Sequence, residues 1–185
     1  MSVKKLYRDF KNAITDPERE LKERLFLCFT VAVEMTVLIA LIGDILISEN
    51  RIEIAVLAVT LLAIPVVTIT CLYQNKLKVA IILFAIAVTF VILPAIYLFG
   101  GGYTGGGLLW VIFGYLYAGL LLAGGFRIFI FIVLTAITIV CHCIDYYYPE
   151  VIAPHTKQVF FLDSTISIIL IGSIVFVMTW IQRRL

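Results

Sequence analysis

Residues 77–107 read LKVAIILFAIAVTFVILPAIYLFGGGYTGGG. From Leu77 to Phe99 the only charge is Lys78, at the edge of the run, and apolar residues follow one another without period-two alternation. A helix needs about 20 residues to cross about 30 Å of hydrocarbon, and this run has that length. A membrane strand would be shorter and would alternate. The stretch therefore reads as a membrane-spanning helix closed by a glycine-rich turn, Gly100 to Gly107.

Five further runs of the same kind flank it. They are Leu25–Ile47, followed by Ser48-Glu49-Asn50-Arg51; Ile54–Tyr73, followed by Gln74-Asn75-Lys76; Leu108–Ala123, closed by Gly124-Gly125-Phe126-Arg127; Ile128–Tyr146; and Phe161–Ile181. A longer loop, Tyr147–Val159, joins the last two. The expected fold is an all-α integral membrane bundle of six helices over residues 25–185, preceded by a short helical segment over residues 1–24. Composition agrees. The 185 residues are 63% hydrophobic and 14% charged, with a mean hydropathy of +1.12. Soluble domains run at about 45–50% apolar and about 25% charged, so lipid has to be the solvent. The net charge of +2 makes no case for nucleic acid, and no nucleic-acid partner is expected. Cys28, Cys71, Cys141 and Cys143 lie in apolar runs, which argues against a secreted disulfide framework. The opening residues are charged, so no signal peptide is expected.

Lys and Arg set the expected orientation. With the N-terminus inside, the inner segments hold Lys4, Lys5, Arg8, Lys11, Arg19, Lys22, Arg24, Lys76, Lys78, Arg127, Arg183 and Arg184. Of the 14 basic residues only Arg51 and Lys157 remain outside. Tyr97, Tyr103, Trp110 and Tyr146 to Tyr148 then line the outer boundary, and Tyr73 and Trp180 the inner one, at the depth aromatic rings prefer. Both termini are expected in the cytoplasm, with the chain crossing the membrane several times. In the N-terminal segment, Thr15-Asp16-Pro17-Glu18 fits a capping box with Pro in the first turn. Glu18 to Arg24 alternates charge sign and reads as a solvated lead-in to the first span.

The glycine block admits two readings. It is a tight turn with close helix packing, or its exposed amides meet a ligand. It lacks the Lys and Ser/Thr of a phosphate-binding loop. Small residues continue as Gly114-x-x-x-Ala118 and Gly119-x-x-x-Ala123, a spacing that favours close packing. Acids inside a membrane are costly and mark function. Glu34 is central in the first span and Asp44 lies near its outer end. Asp145, Glu150 and Asp163 gather with the tyrosines at the outer end of the last two spans, either as a small-molecule pocket or as an interfacial belt. Asp163 opens the last span, where an acid would cap the helix. Cys141-His142-Cys143 does not make a metal site, because successive helical positions point about 100° apart. No metal, haem or other cofactor is expected, and no residue pattern calls for an enzyme active site.

The stretch Leu93 to Gly106, then Leu109 to Gly114, and the pair Tyr148-Pro149-Glu150-Val151 and Phe160-Phe161-Leu162-Asp163, together resemble a known membrane module. It is the six-span N-terminal sensor region of bacterial sensor histidine kinases, of diguanylate cyclase and phosphodiesterase proteins, and of related cyclases. The resemblance covers about residues 20–185. It implies a sensor that detects a small ligand at its outer face or within the membrane and relays a helix movement to a cytoplasmic output domain, across a homodimer. The 185 residues hold no such output domain themselves. The expected ligand contacts are Gly101, Gly102, Gly105, Gly106, Trp110, Tyr115, Asp145, Glu150 and Asp163. Two other classes compete: a small transporter or channel using Glu34 and Asp44, and a structural anchor that dimerises an output domain.

Overall fold

A computed structural model describes residues 3–47, 51–152 and 157–184. Among them are seven helices and no strand: α1 Val3–Thr15, α2 Leu21–Ile47, α3 Arg51–Tyr73, α4 Leu77–Phe99, α5 Gly107–Leu121, α6 Gly124–Tyr147 and α7 Lys157–Arg184. Single-turn 3-10 segments, Gly102–Thr104 and Pro149–Val151, join α4 to α5 and follow α6. Four helices are long and apolar enough to cross a membrane: α2, α3, α4 and α6. Two apolar stretches are shorter, α5 and Ser164–Phe176 within α7.

The six helices after α1 close into a ring in the order α2, α3, α4, α6, α5, α7, with α7 returning to α2. Contacts of α2 with α4 and α5, and of α4 with α5, fill the middle. The outward faces are apolar. Val59, Leu62 and Val66 of α3, Ile128 and Ile132 of α6, and Phe176 of α7 are all exposed. Three buried threonine hydroxyls are satisfied within their own helix. Thr30, Thr36 and Thr60 donate to the carbonyls of Phe26, Ala32 and Val56 at 2.8–2.9 Å. In a medium without water such local pairing removes the cost of a bare hydroxyl.

At the core of the half nearer α1, Phe29 stacks on Phe113 at 5.1 Å and lies 4.9 Å from the Tyr117 ring, and Phe84 meets Tyr117 at 4.9 Å. The Tyr117 hydroxyl donates to the Ile81 carbonyl at 2.8 Å, which ties α5 to α4. Because that carbonyl sits inside a helix, Tyr117→Phe leaves no orphaned acceptor. Its expected cost is therefore that of one buried hydrogen bond, about 1 kcal/mol, read as a modest drop in the detergent melting temperature. Gly114 sits between helices: a Cβ there would come 2.8 Å from Leu93 Cδ1 and 3.1 Å from Leu134 Cδ2. Ala118, one turn on, is fully buried. The second small pair does not pack this way. A Cβ on Gly119 meets only Phe131 Cζ, at an ordinary 3.8 Å, and Ala123 is exposed beyond the end of α5.

Within α4 the helix widens to a π-turn over Val88–Ile92. Pro94 follows. It has no N–H to give the Phe90 carbonyl, and its ring crowds that carbonyl, so the turn before it opens. Thr89 and Val88, in the widened turn, are buried.

The first 24 residues depart from the sequence expectation. Thr15 ends α1 instead of capping a new helix, its hydroxyl donating back to the Lys11 carbonyl at 3.1 Å. Asp16 makes the turn, its Oδ1 accepting the Glu18 amide at 3.0 Å, and α2 starts at Leu21, so the lead-in residues 21–24 belong to the first long helix. The competing geometry won because the Asp16 carboxylate bonds the amide two residues on, which forms a turn. Nor is α1 solvated on all sides. Ala13 is buried, and Phe10 and Ile14 pack against the core. The Tyr73 hydroxyl donates to Asp9 Oδ2 at 3.2 Å, and Arg24 Nε donates to the Ile14 carbonyl at 2.7 Å, closing the α1 C-terminus. Lys22 Nζ likewise reaches the Leu122 carbonyl at 2.9 Å and caps α5. Lys78 pairs with Glu20 nearby. At the other joint of this end, Gly124 to Arg127 form the first turn of α6 and not a loop; the link from α5 is only Leu122 and Ala123. Gly124 makes the short link possible with a φ of 57°.

Candidate functional site

The end of the bundle opposite α1 carries a buried polar cluster built on Asp145. His142 and Asp145 are three residues apart on α6, so they share a face. That face meets Tyr97 of α4 and the glycine turn. Asp145 is 7% exposed and Tyr97 is 1% exposed. Asp145 Oδ2 accepts the Tyr97 hydroxyl at 3.1 Å and the Tyr103 amide at 2.8 Å. The Tyr97 oxygen also lies 2.9 Å from His142 Nδ1, and the two rings meet edge to face at 5.2 Å. Tyr97 has one proton, and it goes to Asp145. His142 Nδ1 must then supply the other, which fixes a protonated Nδ1. The result is a chain of hydrogen bonds, from exposed His142 through buried Tyr97 to buried Asp145 and on to the backbone of the turn.

The glycines of the turn are required by closeness. Gly102 has a φ of 58°, and a Cβ on it would fall 2.3 Å from Asp145 Oδ2 and 3.0 Å from Ile152 Cγ2. At Gly105 a Cβ would sit 1.6 Å from the Gly100 carbonyl oxygen. A Cβ on Gly107 would lie 3.1 Å from Tyr97 Cα. Ile152, just after the Pro149–Val151 turn, is buried and closes over Gly102. The block is a tight turn, and the Tyr103 amide within it is held by the Asp145 carboxylate.

Not every expected contact residue joins this cluster. Gly101, Gly102, Gly105 and Gly106 are all buried in the turn. Trp110 is half-buried one turn further along α5, edge-on to Phe113 at 5.7 Å. Tyr115 lies midway along α5, its hydroxyl 2.7 Å from Thr135 Oγ1 of α6 and its ring 5.4 Å from Phe131; it belongs to the helix interface and not to the mouth. Glu150 is exposed on the 3-10 turn. Asp163 falls more than one turn inside α7, which begins at Lys157, so it is not the N-cap the sequence implied; its side chain lies outside the described residues, as does His155. Tyr97, Tyr103, His142 and Ile152 complete the cluster without having been singled out as contacts. The spacing of His142 and Asp145 was the available signal.

The acids Glu34 and Asp44 of α2 are separate. Glu34 stands at the midpoint of α2, and its Oε1 is buried without a hydrogen-bond partner. Asp44, near the glycine end of α2, is engaged with a partner. In the Cys141-His142-Cys143 run, Cys141 is buried while His142 and Cys143 are exposed. Among the described residues no group of His, Cys, Asp or Glu is arranged to hold a metal.

No family model, curated protein sequence or solved structure matches the chain.

Proposed function

We propose that the chain is the sensory part of a signalling protein: six membrane spans, α2 to α7, with both termini on the cytoplasmic face of a bacterial inner membrane. The glycine turn and the Asp145 cluster form the outer, receiving end, and α7 carries the response inward to an output domain, across a homodimer. The observation that carries this reading is the buried carboxylate of Asp145. It holds the Tyr103 amide of a surface turn on one side and is tied through Tyr97 to exposed His142 on the other. A ligand that competes for any of these groups favours one packing of α4, α6 and the turn over another, and populations shift by its differential affinity. The likeness of the glycine block and the Tyr-Pro-Glu segment to six-span sensor regions points the same way, as does the basic bias of the α1 end. α7 is placed to relay the response, since it packs along α2 and α5 and runs unbroken to Arg184. A transport reading through Glu34 and Asp44 has less support, because the groove beside Glu34 is lined mostly by apolar side chains.

The test is a fusion of the full chain to a diguanylate cyclase reporter. Asp145→Asn keeps the shape and removes the charge. It is expected to lock reporter output in one state, whereas Glu150→Ala leaves the output responsive. Unchanged output in Asp145→Asn rules this reading out.

A further inference from the structure

The outer face of α1 is positive and unneutralised. Lys4, Arg8 and Lys11 fall at i, i+4 and i+7, so they share one face of the helix, and Lys5 flanks it. All four side chains are exposed. The opposite face carries Phe10, Ala13 and Ile14, which pack against the bundle. Among the described residues Lys4, Lys5 and Lys11 have no acid partner, and Arg8 meets only Asp9, Nε to Oδ1 at 4.0 Å. Asp9 is the one acid of α1, and it accepts the Tyr73 hydroxyl. The protein therefore supplies little to balance the charge of this face.

The position of α1 decides what the face meets. α1 runs along the side of the bundle, where Tyr7 and Phe10 share a groove with Val31 and Met35 of α2 and Pro65 and Ile69 of α3. Val31 and Met35 are themselves exposed, as part of the apolar perimeter that only lipid suits. Tyr7 falls between Lys11 and Phe10 around the helix, at the border of the basic and apolar faces, and is 70% exposed. A helix with its apolar face seated, a tyrosine at the border and basic side chains outward belongs at the depth of the lipid headgroups.

From this charge complementarity we infer that α1 is an interfacial docking helix for anionic phospholipid, with Lys4, Arg8 and Lys11 on the headgroup phosphates. The partner is the anionic lipid of the surrounding bilayer. The inference is independent of the Asp145 reading, uses none of its residues, and holds whichever end of the bundle faces the cytoplasm.

The experiment equilibrates the full chain in dodecyl maltoside micelles with radiolabelled phosphatidylglycerol and counts the lipid retained, with protein-free micelles as baseline. Phosphatidylcholine with the same tails is the comparison without net charge. Phosphatidylglycerol is expected to be held at least about tenfold more tightly, since each basic residue at an anionic surface contributes about fivefold. The variant Lys4→Gln/Arg8→Gln/Lys11→Gln is expected to bring the two lipids within about twofold of each other. Its three sites are exposed, and Gln is nearly as good a helix former as Lys or Arg. Lys76→Gln/Arg127→Gln removes two exposed basic charges from the same end of the bundle and is expected to keep the preference, which separates α1 from a general basic belt. Inorganic phosphate and a single-stranded oligonucleotide are expected to leave the bound phosphatidylglycerol in place. Equal retention of the two lipids by the unaltered chain, a preference that survives in the α1 variant, an equal loss in the Lys76/Arg127 variant, or displacement by phosphate or oligonucleotide each overturns the inference.

Discussion

Gly105→Ala is expected to lose the glycine turn and with it about 3 kcal/mol or more of stability, because the added methyl collides with backbone that cannot rotate away. The Cβ would stand 1.6 Å from the Gly100 carbonyl oxygen and 2.8 Å from its carbon. Strain in torsion is not the cause, since Gly105 is extended, with φ −110° and ψ −176°. The cause is that the chain doubles back on itself between the end of α4 and the start of α5. Relief requires the turn to open, and the turn is held from both sides, by the Gly105 amide on the Gly102 carbonyl at 3.2 Å and by Asp145 on the Tyr103 amide. Gly125→Ala is the matched control. A Cβ there has nothing within 4 Å, and it sits in the first turn of α6, where Ala gains up to about 1 kcal/mol of helix propensity over Gly. Thermal unfolding in detergent of the two variants, side by side, separates a local collision from a general intolerance of alanine for glycine. Equal melting temperatures would mean that the turn is not packed as described.

Much of the fold was legible because membrane helices announce themselves by length and composition. Leu77–Phe99 and Ile54–Tyr73 agree with the helices at both ends within a few residues. What periodicity could not give was the chain's behaviour at joints. Gly124-Gly125 looked like a loop, yet one positive φ at Gly124 lets α6 begin at once. Thr15-Asp16-Pro17-Glu18 looked like a helix start, yet Asp16 closes a turn and Thr15 closes the helix before it. The widened turn before Pro94 was foreshadowed only by the proline itself. Asp145 and the glycines were singled out separately in the sequence, and the structure brings Asp145 against the glycine turn. The partners of Asp145 were not legible, since pairing Tyr97 with Asp145 requires knowing that α4 lies beside α6. Glu150, a near neighbour in the chain, stands exposed on the 3-10 turn, because proximity along the chain is a weak guide once the chain is folded across a ring of helices. Tyr115 misled for a related reason: a tyrosine in a span can turn its hydroxyl to a neighbouring threonine instead of to the surface.

Replacing Asp145 by Ala is expected to cost about 3 kcal/mol, because a buried hydroxyl and a part-buried amide lose their acceptor together at roughly 1–3 kcal/mol each. One is the Tyr97 hydroxyl and the other the Tyr103 amide. Tyr97→Phe is expected to cost less, about 1–2 kcal/mol. It removes one of the two donors to Asp145 while Tyr103 remains, and exposed His142 turns to solvent. A double-mutant cycle settles whether the cluster acts as one unit. If Tyr97 acts on the turn only through Asp145, the double variant is expected to unfold at or above the point of Asp145→Ala alone, since it also removes the orphaned hydroxyl, with a coupling of at least the full cost of Tyr97→Phe. Additive losses would mean that Tyr97 holds α4 to α6 by packing on its own account, with its hydroxyl incidental. That outcome would also weaken the signalling reading, because a ligand meeting His142 would then have no hydrogen-bonded route to the glycine turn.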